Sequence, residues 1–330
     1  MQVPDSVNAT VSSPLGKLTV SAPGSLMLMG EHSVLFGQPA LACAVDKRMT
    51  VQLLPRTDRI VTVDSALSCY SASLDDLKPD AELSFVLTAI KRQLHELPAG
   101  FDLKISSEFS HTVGLGSSAA VTAAMVTALQ AYCGNDCSDQ LALFNEALAV
   151  VHQVQDGRGS GTDLVAAVYG GVVSYTLADA DKEVGPRIKA LSGLPDISLF
   201  YVGYKMKTPD VLKYVEQLYQ QQPELYDAIY RLMGQTTMQA ETAVDNADWS
   251  GFAQLMNIYQ GLMDALGVND QKLAHIIYSL RQQDTVQAAK ISGSGLGDCV
   301  LALGLAASIE GPYEQIPVTV SAKGVMVEYG

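Results

Sequence analysis

Basic residues are scarce in this 330-residue chain, in which 21 lysines and arginines stand against 35 aspartates and glutamates, a formal net charge of −14. Nucleic acids are bound through clustered Lys and Arg side chains that neutralise phosphates, and the sequence contains no such cluster. An acidic protein still binds a small anion locally, with backbone N–H groups and a few basic side chains. We therefore expect a small-molecule ligand and no nucleic-acid partner.

Long apolar runs are also missing, since none approaches the roughly 18 residues that cross a bilayer. The first residues, MQVPDSVNATVSSP, lack the basic and apolar segments of a secretory signal. The five cysteines are an odd, scattered set, which favours reduced thiols over disulfides. Cys133 and Cys137 are spaced like half of a metal site, but no second pair completes it. These absences predict a cytoplasmic protein without membrane contact.

Hydrophobic residues make up 48% of the chain, enough for a substantial core. Alternation and helical periodicity predict strands over 17–23, 48–54, 59–63, 101–109, 171–177, 197–204 and 288–293, followed by two further strands, and helices over 81–97, after 116, over 138–154 and at three or four places in 209–284. The polar stretch 178–196 is a candidate boundary. Strands and helices mixed in two halves predict an α+β fold with domains at 1–185 and 186–330. The helices of 209–284 fit either a core or the face of a homodimer.

The strongest local pattern is the segment GLGSSAA, residues 114–120, which follows a predicted strand and opens an Ala-rich helix. Glycines there let the backbone approach an anion, and the helix start offers free N–H groups. An ordinary serine-capped helix gives the same letters. A Walker A loop is excluded because no Lys-Ser or Lys-Thr pair follows. A dinucleotide fingerprint is matched only loosely, since no acidic residue ends a following strand.

Three further segments combine glycines with chemically active side chains. GRGSGTD ends in Asp163, which is placed to orient a substrate hydroxyl or simply to stabilise a helix dipole by about 0.3–1 kcal/mol. SGSGLGDC, residues 292–299, is either a second anion-binding loop or a hairpin turn. GEH, residues 30–32, interrupts an apolar stretch as a surface turn or as the wall of a site.

The order APGS…GEHSVLFG, GLGSSAA, GSGTD and SGSGLGDC resembles the GHMP small-molecule kinases, the family of galactokinase, homoserine kinase, mevalonate kinase and phosphomevalonate kinase, over almost the whole chain. GEHSVLFGQPALA is most similar to the mevalonate kinases of that family. The resemblance implies a two-domain fold, with a ribosomal-protein-S5-domain-2-like N-terminal α/β domain and a ferredoxin-like C-terminal α+β domain. It also implies ATP- and Mg²⁺-dependent phosphorylation of the primary hydroxyl of mevalonate, to 5-phosphomevalonate in isoprenoid precursor synthesis.

The resemblance assigns roles by position in each motif. Asp163 matches the catalytic aspartate, and Ser118 a contact to Mg²⁺. The ATP phosphates would be wrapped by Gly114, Leu115, Gly116, Ser117, Ser118 and Ala119. The acceptor would be faced by Ser25, Glu31, His32, Thr208, Gly293, Ser294 and Gly295.

The chain departs from the family pattern in four respects, of which the missing proline before GLGSSAA, with Ser110 and His111 in its place, has no direct part in the chemistry. Ser25 stands where mevalonate kinases carry a lysine paired with the catalytic aspartate, which leaves Arg158, Lys205 and Lys17 as candidates for that positive charge. His152 and Gln153 stand where the family's Mg²⁺-binding glutamate is expected, and the nearest upstream glutamate, Glu146, is too distant.

The second and third motifs resemble those of phosphomevalonate kinases, so phosphomevalonate or another small alcohol is an alternative acceptor. Arg158 would then hold a substrate phosphate or take part in catalysis, unless it is a solvated loop charge. The third alternative is a family member that has lost catalysis and acts as a ligand-binding regulator.

Overall fold

The computed structural model describes residues 16–110, 113–178 and 184–330. Its strands are β1 (Leu18–Met29), β2 (Ala40–Pro55), β3 (Ile60–Ser65), β4 (Cys69–Ser73), β5 (Phe101–Ser107), β6 (Val172–Thr176), β7 (Arg187–Leu191), β8 (Ile197–Lys205), β9 (Val286–Ser292), β10 (Gly297–Gly304), β11 (Glu314–Ile316) and β12 (Met326–Tyr329). Its helices are α1 (Ser84–Gln93), α2 (Ser117–Tyr132), α3 (Gln140–Val154), α4 (Thr162–Tyr169), α5 (Thr208–Gln221), α6 (Pro223–Asp245), α7 (Trp249–Ala265) and α8 (Gln271–Arg281), with a short 3₁₀ helix at Ser33–Phe36. No helix within these ranges is long and apolar enough to cross a membrane.

Two sheets organise the molecule. The larger has the order β12-β1-β2-β5-β3-β4, with β6 pairing β2 and β7 pairing β6. Helices α2 and α4 pack on β1 and β2, and α1 and α3 pack against α2. The smaller sheet has the order β11-β8-β10-β9 with antiparallel pairs, and α7 and α8 pack on β9. The α+β fold predicted from the sequence is confirmed.

The first half of β2 is buried on both of its faces. Ala40 and Ala42 point into the core shared with α1–α4, whereas Leu41 and Cys43 point into the core shared with the second sheet and its helices. Successive strand residues face opposite sides, so a strand buried on both sides carries an unbroken apolar run. This double burial explains the apolar segment ALACAV and places the end of β1 and the start of β2 at the junction of the two halves.

Strand β1 ends at a glycine that the local packing requires. Gly30 has φ of 104°, and a Cβ at this position would lie 2.3 Å from the Cβ of Ala40. Only glycine combines that backbone conformation with so close a neighbour. The chain therefore turns sharply after the buried strand and sends Glu31 and His32 across the junction.

Strand β7 was not predicted and lies inside the polar stretch 178–196. It pairs with β6, and β12 returns to pair with β1, so the larger sheet contains strands from both sides of residue 185. The division into 1–185 and 186–330 stays a prediction. Strand β4 was also missed, whereas 209–284 holds four helices, at the upper end of the expected number. All five cysteines are free thiols.

Candidate active site

A cavity of about 520 Å³ opens where the two halves meet. Its walls come from five segments that are far apart in the sequence: the turn after β1, the start of α2, the loop before α4, the β8–α5 connection and the β9–β10 turn. These segments contain all four of the glycine-bearing motifs singled out in the sequence. Cavities of this size with a few convergent polar groups are typical of small-molecule sites.

The glycine-rich loop leads directly into helix α2. Gly116 is the residue before the first helical turn, with φ of 61°, and no side chain caps the helix there. By contrast, α3 is capped by Asp139, which accepts a hydrogen bond from Ala142 N. A Cβ on Gly116 would come within 2.0 Å of Ser25 Oγ, so a glycine is needed for packing as well as for backbone conformation. The uncapped N–H groups and the helix dipole together favour an anion at this end of α2.

Asp163 lies in the first turn of α4 and borders the cavity. Its Oδ1 accepts a 2.8 Å hydrogen bond from Ser25 Oγ. Burial raises the pKa of the Asp163 carboxyl above its ordinary value, and the nearby carboxylates of Asp298 and Glu31 raise it further, whereas Ser25 and Lys205 oppose the shift. A carboxylate with a raised pKa that faces a cavity is suited to accept a proton from a bound hydroxyl.

Lys205 is the cation that acts electrostatically on Asp163 and opposes the rise of its pKa. Its Nζ lies 2.7 Å from Asp298 Oδ2, and the Asp298 side chain is 5% exposed. Arg158 borders the same cavity from an exposed loop, and Lys17 precedes the opposite end of the 12-residue strand β1. Among described residues, no lysine or arginine forms an ion pair with Asp163 itself. The positive charge expected opposite Asp163, at the position that Ser25 occupies, is therefore replaced by Lys205, which acts on Asp163 without forming an ion pair.

Glu31 is held by the buried Lys290, which no sequence motif marks as a site residue. Lys290 Nζ donates a 2.5 Å hydrogen bond to Glu31 Oε1, and neither side chain is more than 2% exposed. Tyr259 fixes the turn around it, because its hydroxyl accepts from Gly30 N and donates to Glu31 O. The second carboxylate oxygen, Oε2, is buried without a hydrogen-bond partner in the described structure. Glu31 therefore borders the cavity with one carboxylate oxygen held by Lys290 and the other buried and unpaired.

His32 reaches the β9–β10 turn from the other side of the cavity. Its Nε2 lies 2.8 Å from Ser294 O. Burial lowers the pKa of His32, although the bond to Ser294 and the charge of Glu31 oppose the shift, so the ring is neutral at pH 7. Since a carbonyl oxygen only accepts, Nε2 carries the proton and Nδ1 is an acceptor. That acceptor is suited to a hydroxyl of a bound ligand.

A second pocket, of about 420 Å³, adjoins the same helix start. Its lining is largely apolar and includes Leu67, Phe85 and Phe109. Ser117 and Ser118 line both pockets, so the uncapped end of α2 connects them. The arrangement suits a ligand that has a flat apolar group at one end and an anionic group at the other.

Comparison with known proteins identifies the family. A model of the GHMP kinase N-terminal domain matches residues 83–171, and a model of the GHMP kinase C-terminal domain matches residues 240–310. Mevalonate kinase of Pyrococcus furiosus is 31% identical over 308 residues, which cover 87% of this chain and 89% of that protein. The protein belongs to the GHMP kinases.

Solved structures of GHMP kinases share the whole fold. Mevalonate kinase of L. major, in complex with R-mevalonate, has a TM-score of 0.69 and 23% identity, over 90% of each chain. Phosphomevalonate kinase of Streptococcus pneumoniae, in complex with phosphomevalonate and AMPPNP, has a TM-score of 0.75 and 19% identity, over 90% of this chain and 99% of that chain. The two-domain GHMP kinase fold implied by the sequence resemblance is confirmed.

Most of the predicted site residues of this GHMP kinase border the cavity: Glu31, His32, Gly114, Gly116, Ser117, Ser118, Ala119, Arg158, Asp163, Thr208, Gly293 and Ser294. Three do not. Ser25 is 1% exposed and contacts Asp163 instead, and Leu115 is fully buried, with its carbonyl accepting from Ser25 N. Gly295 faces away from the cavity, because a Cβ there would lie 2.4 Å from Val268 O.

The positions that depart from the family pattern have other partners. His152 Nε2 lies 2.9 Å from Gly159 O and so braces the loop before α4. Glu146 forms an ion pair of 2.7 Å with Arg92 of α1 and does not line the cavity.

Asp298 is a cavity carboxylate to which the sequence motifs assign no role, although it lies within SGSGLGDC. Its Oδ1 is buried without a hydrogen-bond partner among described residues.

Proposed function

We propose that the protein uses ATP and Mg²⁺ to phosphorylate the primary hydroxyl of mevalonate, giving 5-phosphomevalonate. The observation that carries the proposal is the Asp163 carboxyl, whose pKa is raised by burial, in a cavity shared with the uncapped start of α2. The mevalonate kinases among the relatives support the choice of acceptor.

The nucleotide spans the two connected pockets. The apolar pocket next to Phe85 and Phe109 takes the adenine, and the N–H groups at the start of α2 take the phosphates. The acceptor occupies the larger cavity, where Glu31 and neutral His32 accept hydrogen bonds from its hydroxyl groups. Asp163 orients the reacting hydroxyl and accepts its proton as the phosphoryl group transfers.

The residues around the phosphates fit a magnesium ion. Mg²⁺ prefers oxygen ligands and is usually held by one or two protein groups together with substrate phosphates. Ser118 and Asp298 line the cavity and carry oxygens of that kind, a hydroxyl and a buried, unpartnered carboxylate Oδ1. Among the residues the structure describes, no group of three or more His, Cys, Asp or Glu could hold a metal alone. When bound, the ion would neutralise charge on the β- and γ-phosphates.

One observation favours phosphomevalonate as a second candidate acceptor. Arg158 stands at the exposed edge of the acceptor cavity, where a guanidinium is suited to bind a phosphate in bidentate fashion. The same side chain also suits the carboxylate of mevalonate, so its presence does not by itself choose between the two acceptors.

A coupled assay of ADP release with mevalonate, phosphomevalonate, homoserine and galactose tests the proposal. We expect kcat/KM to be at least tenfold higher with mevalonate than with any other alcohol. A preference for phosphomevalonate would replace the proposal with the second candidate. ATP binding without turnover of any alcohol would favour a ligand-binding regulator.

A further inference from the structure

The cavity carries an unusual excess of negative charge for a site that would bind ATP. Glu31 and Asp298 both act electrostatically on Asp163 there, and Asp156 also lines the cavity. Glu31 is neutralised by Lys290, which is fully buried behind it and does not line the cavity. Asp298 is paired with Lys205, so Asp163 and Asp156 remain without an ion-pair partner among the described residues, beside the place where the phosphates would lie. Phosphoryl transfer concentrates further negative charge at that point, so a cation facing the phosphates is required.

Two fixed positive charges line the cavity within the described part of the chain, those of Arg158 and Lys205. Arg158 lies in an exposed loop, whereas the Lys205 side chain is 33% exposed and fixed by Asp298. Lys205 ends β8 and stands opposite Gly297 in the strand pairing, which brings it to the β9–β10 turn. An ammonium held against a buried carboxylate acts on a neighbouring charge from a fixed position, whereas the charge of a free side chain is more strongly screened by solvent.

The anchor of Lys205 lies against the phosphate-binding loop. A Cβ on Gly114 would come within 2.3 Å of both carboxylate oxygens of Asp298, so the loop and this carboxylate are in contact. Lys205 Nζ, 2.7 Å from Asp298 Oδ2, is thus close to the start of the loop, and its charge also acts on Asp163. One hydrogen of the ammonium bonds to Asp298, and two remain for other acceptors.

We propose that Lys205 is a catalytic residue whose ammonium contacts the transferring phosphoryl group, and that Asp298 positions it. In this step a bond forms between the acceptor oxygen and the γ-phosphorus, and the bond to the β–γ bridging oxygen breaks. The hydroxyl proton passes to Asp163, ADP leaves, and Lys205 keeps its proton throughout. The inference rests on the proposed kinase function but not on which alcohol is the acceptor.

The Lys205→Met variant tests the contact, with Lys207→Met as the matched control, because Lys207 is exposed and does not line the cavity. We expect Lys205→Met to lower kcat by about 10²–10³-fold, as when one preorganised donor is lost. The acid limb of its kcat/KM profile should move to higher pH, because the charge that opposes the raised pKa of Asp163 is gone. Lys205→Arg should restore most of kcat, and Lys207→Met should match the wild type.

A merely structural counter-ion would change stability and not the turnover of folded protein. Lys205→Gln removes the charge but can still donate a hydrogen bond to Asp298, and urea unfolding gives the folded fraction of each variant. A kcat per folded molecule that stays at least 10²-fold low in Lys205→Gln supports the proposal, and a kcat within a few-fold of wild type overturns it.

Nucleotide affinity, measured by calorimetry without acceptor, keeps this test separate from the choice of alcohol. Lys205→Met should weaken ATP binding more than ADP binding, since only ATP carries the γ-phosphate. Equal weakening of both nucleotides would contradict the proposed contact. Turnover of a different alcohol by the wild type would overturn the mevalonate assignment and leave this result standing.

Discussion

Removal of the Lys290 ammonium should destabilise the protein strongly, because it would leave Glu31 buried and unpaired. The two side chains are 0% and 2% exposed, and their charged atoms lie 2.5 Å apart. Lys290 also donates to the carbonyl of Ile291 and lies over the ring of Tyr259, 5.5 Å from its centroid. Loss of one partner of a buried ion pair costs about 3–5 kcal/mol. That is a large part of the roughly 5–15 kcal/mol that holds a typical domain folded.

Methionine is the sharpest replacement, since it keeps the length and apolar stem of lysine while removing the charge. We expect Lys290→Met to lower the free energy of unfolding by about 3–5 kcal/mol. The double variant Glu31→Gln/Lys290→Met should lose much less, because no charge remains uncompensated. Urea unfolding followed by circular dichroism, with the slope m held in common, measures both.

The same pair of variants separates stability from function. The double variant should fold but bind the acceptor poorly, because the oxygen that Glu31 presents to the cavity loses its charge. A loss below about 1 kcal/mol in the single variant, the level of an exposed pair, would refute the reasoning. So would a double variant that is less stable than the single one.

Two further predictions concern the catalytic carboxylate and the glycine-rich loop. Asp163→Asn should lower kcat by about 10²–10⁴-fold while calorimetry shows unchanged ATP affinity, and unimpaired turnover would remove Asp163 from catalysis. Because the pKa of Asp163 is raised above 3.8 in the folded protein, kcat/KM should fall at a higher pH on acidification than for an ordinary carboxyl. The folded state then binds this proton more tightly than the unfolded chain, so the group's contribution to stability falls as pH rises through that range. Gly114→Ala should weaken ATP binding at least tenfold, because the added methyl group would meet the carboxylate of Asp298. Gly261→Ala is the control, since its methyl group would enter open space and leave ATP affinity unchanged. Equal ATP affinities of the two variants would contradict the proposed loop contact.

The local sequence was sufficient to predict the elements whose burial leaves a simple pattern. The alternation in 101–109 predicted β5, and the small residues after Gly116 predicted the buried helix α2. Strand β7 was missed because none of its residues is fully buried and because it lies inside a polar stretch of the sequence. Strand β1 was predicted to end at Pro23 but continues through the Pro-Gly pair to Met29. Register shifts after Pro23 and after Met27 keep it paired with β2.

The motifs predicted which segments meet but not which side chains pair. Glu31 and Lys290 are 259 residues apart, and nothing in the strand AAKISG marks its lysine as a buried partner. Lys205 and Asp298 meet because β8 and β10 are neighbours in the smaller sheet, an arrangement that depends on tertiary structure. Ser25 was expected to face the acceptor, but it is buried beneath the glycine-rich loop, where its Oγ donates to Asp163 and its N–H donates to Leu115 O.

A direct competition between acceptors tests the central proposal most sharply. Mevalonate and phosphomevalonate at equal concentration would be mixed with the protein, ATP and Mg²⁺, and followed by phosphorus NMR. We predict that the phosphomonoester signal of 5-phosphomevalonate grows from the start at the expense of mevalonate. Early appearance of the paired signals of a diphosphate ester, with mevalonate left unconsumed, would contradict the mevalonate assignment.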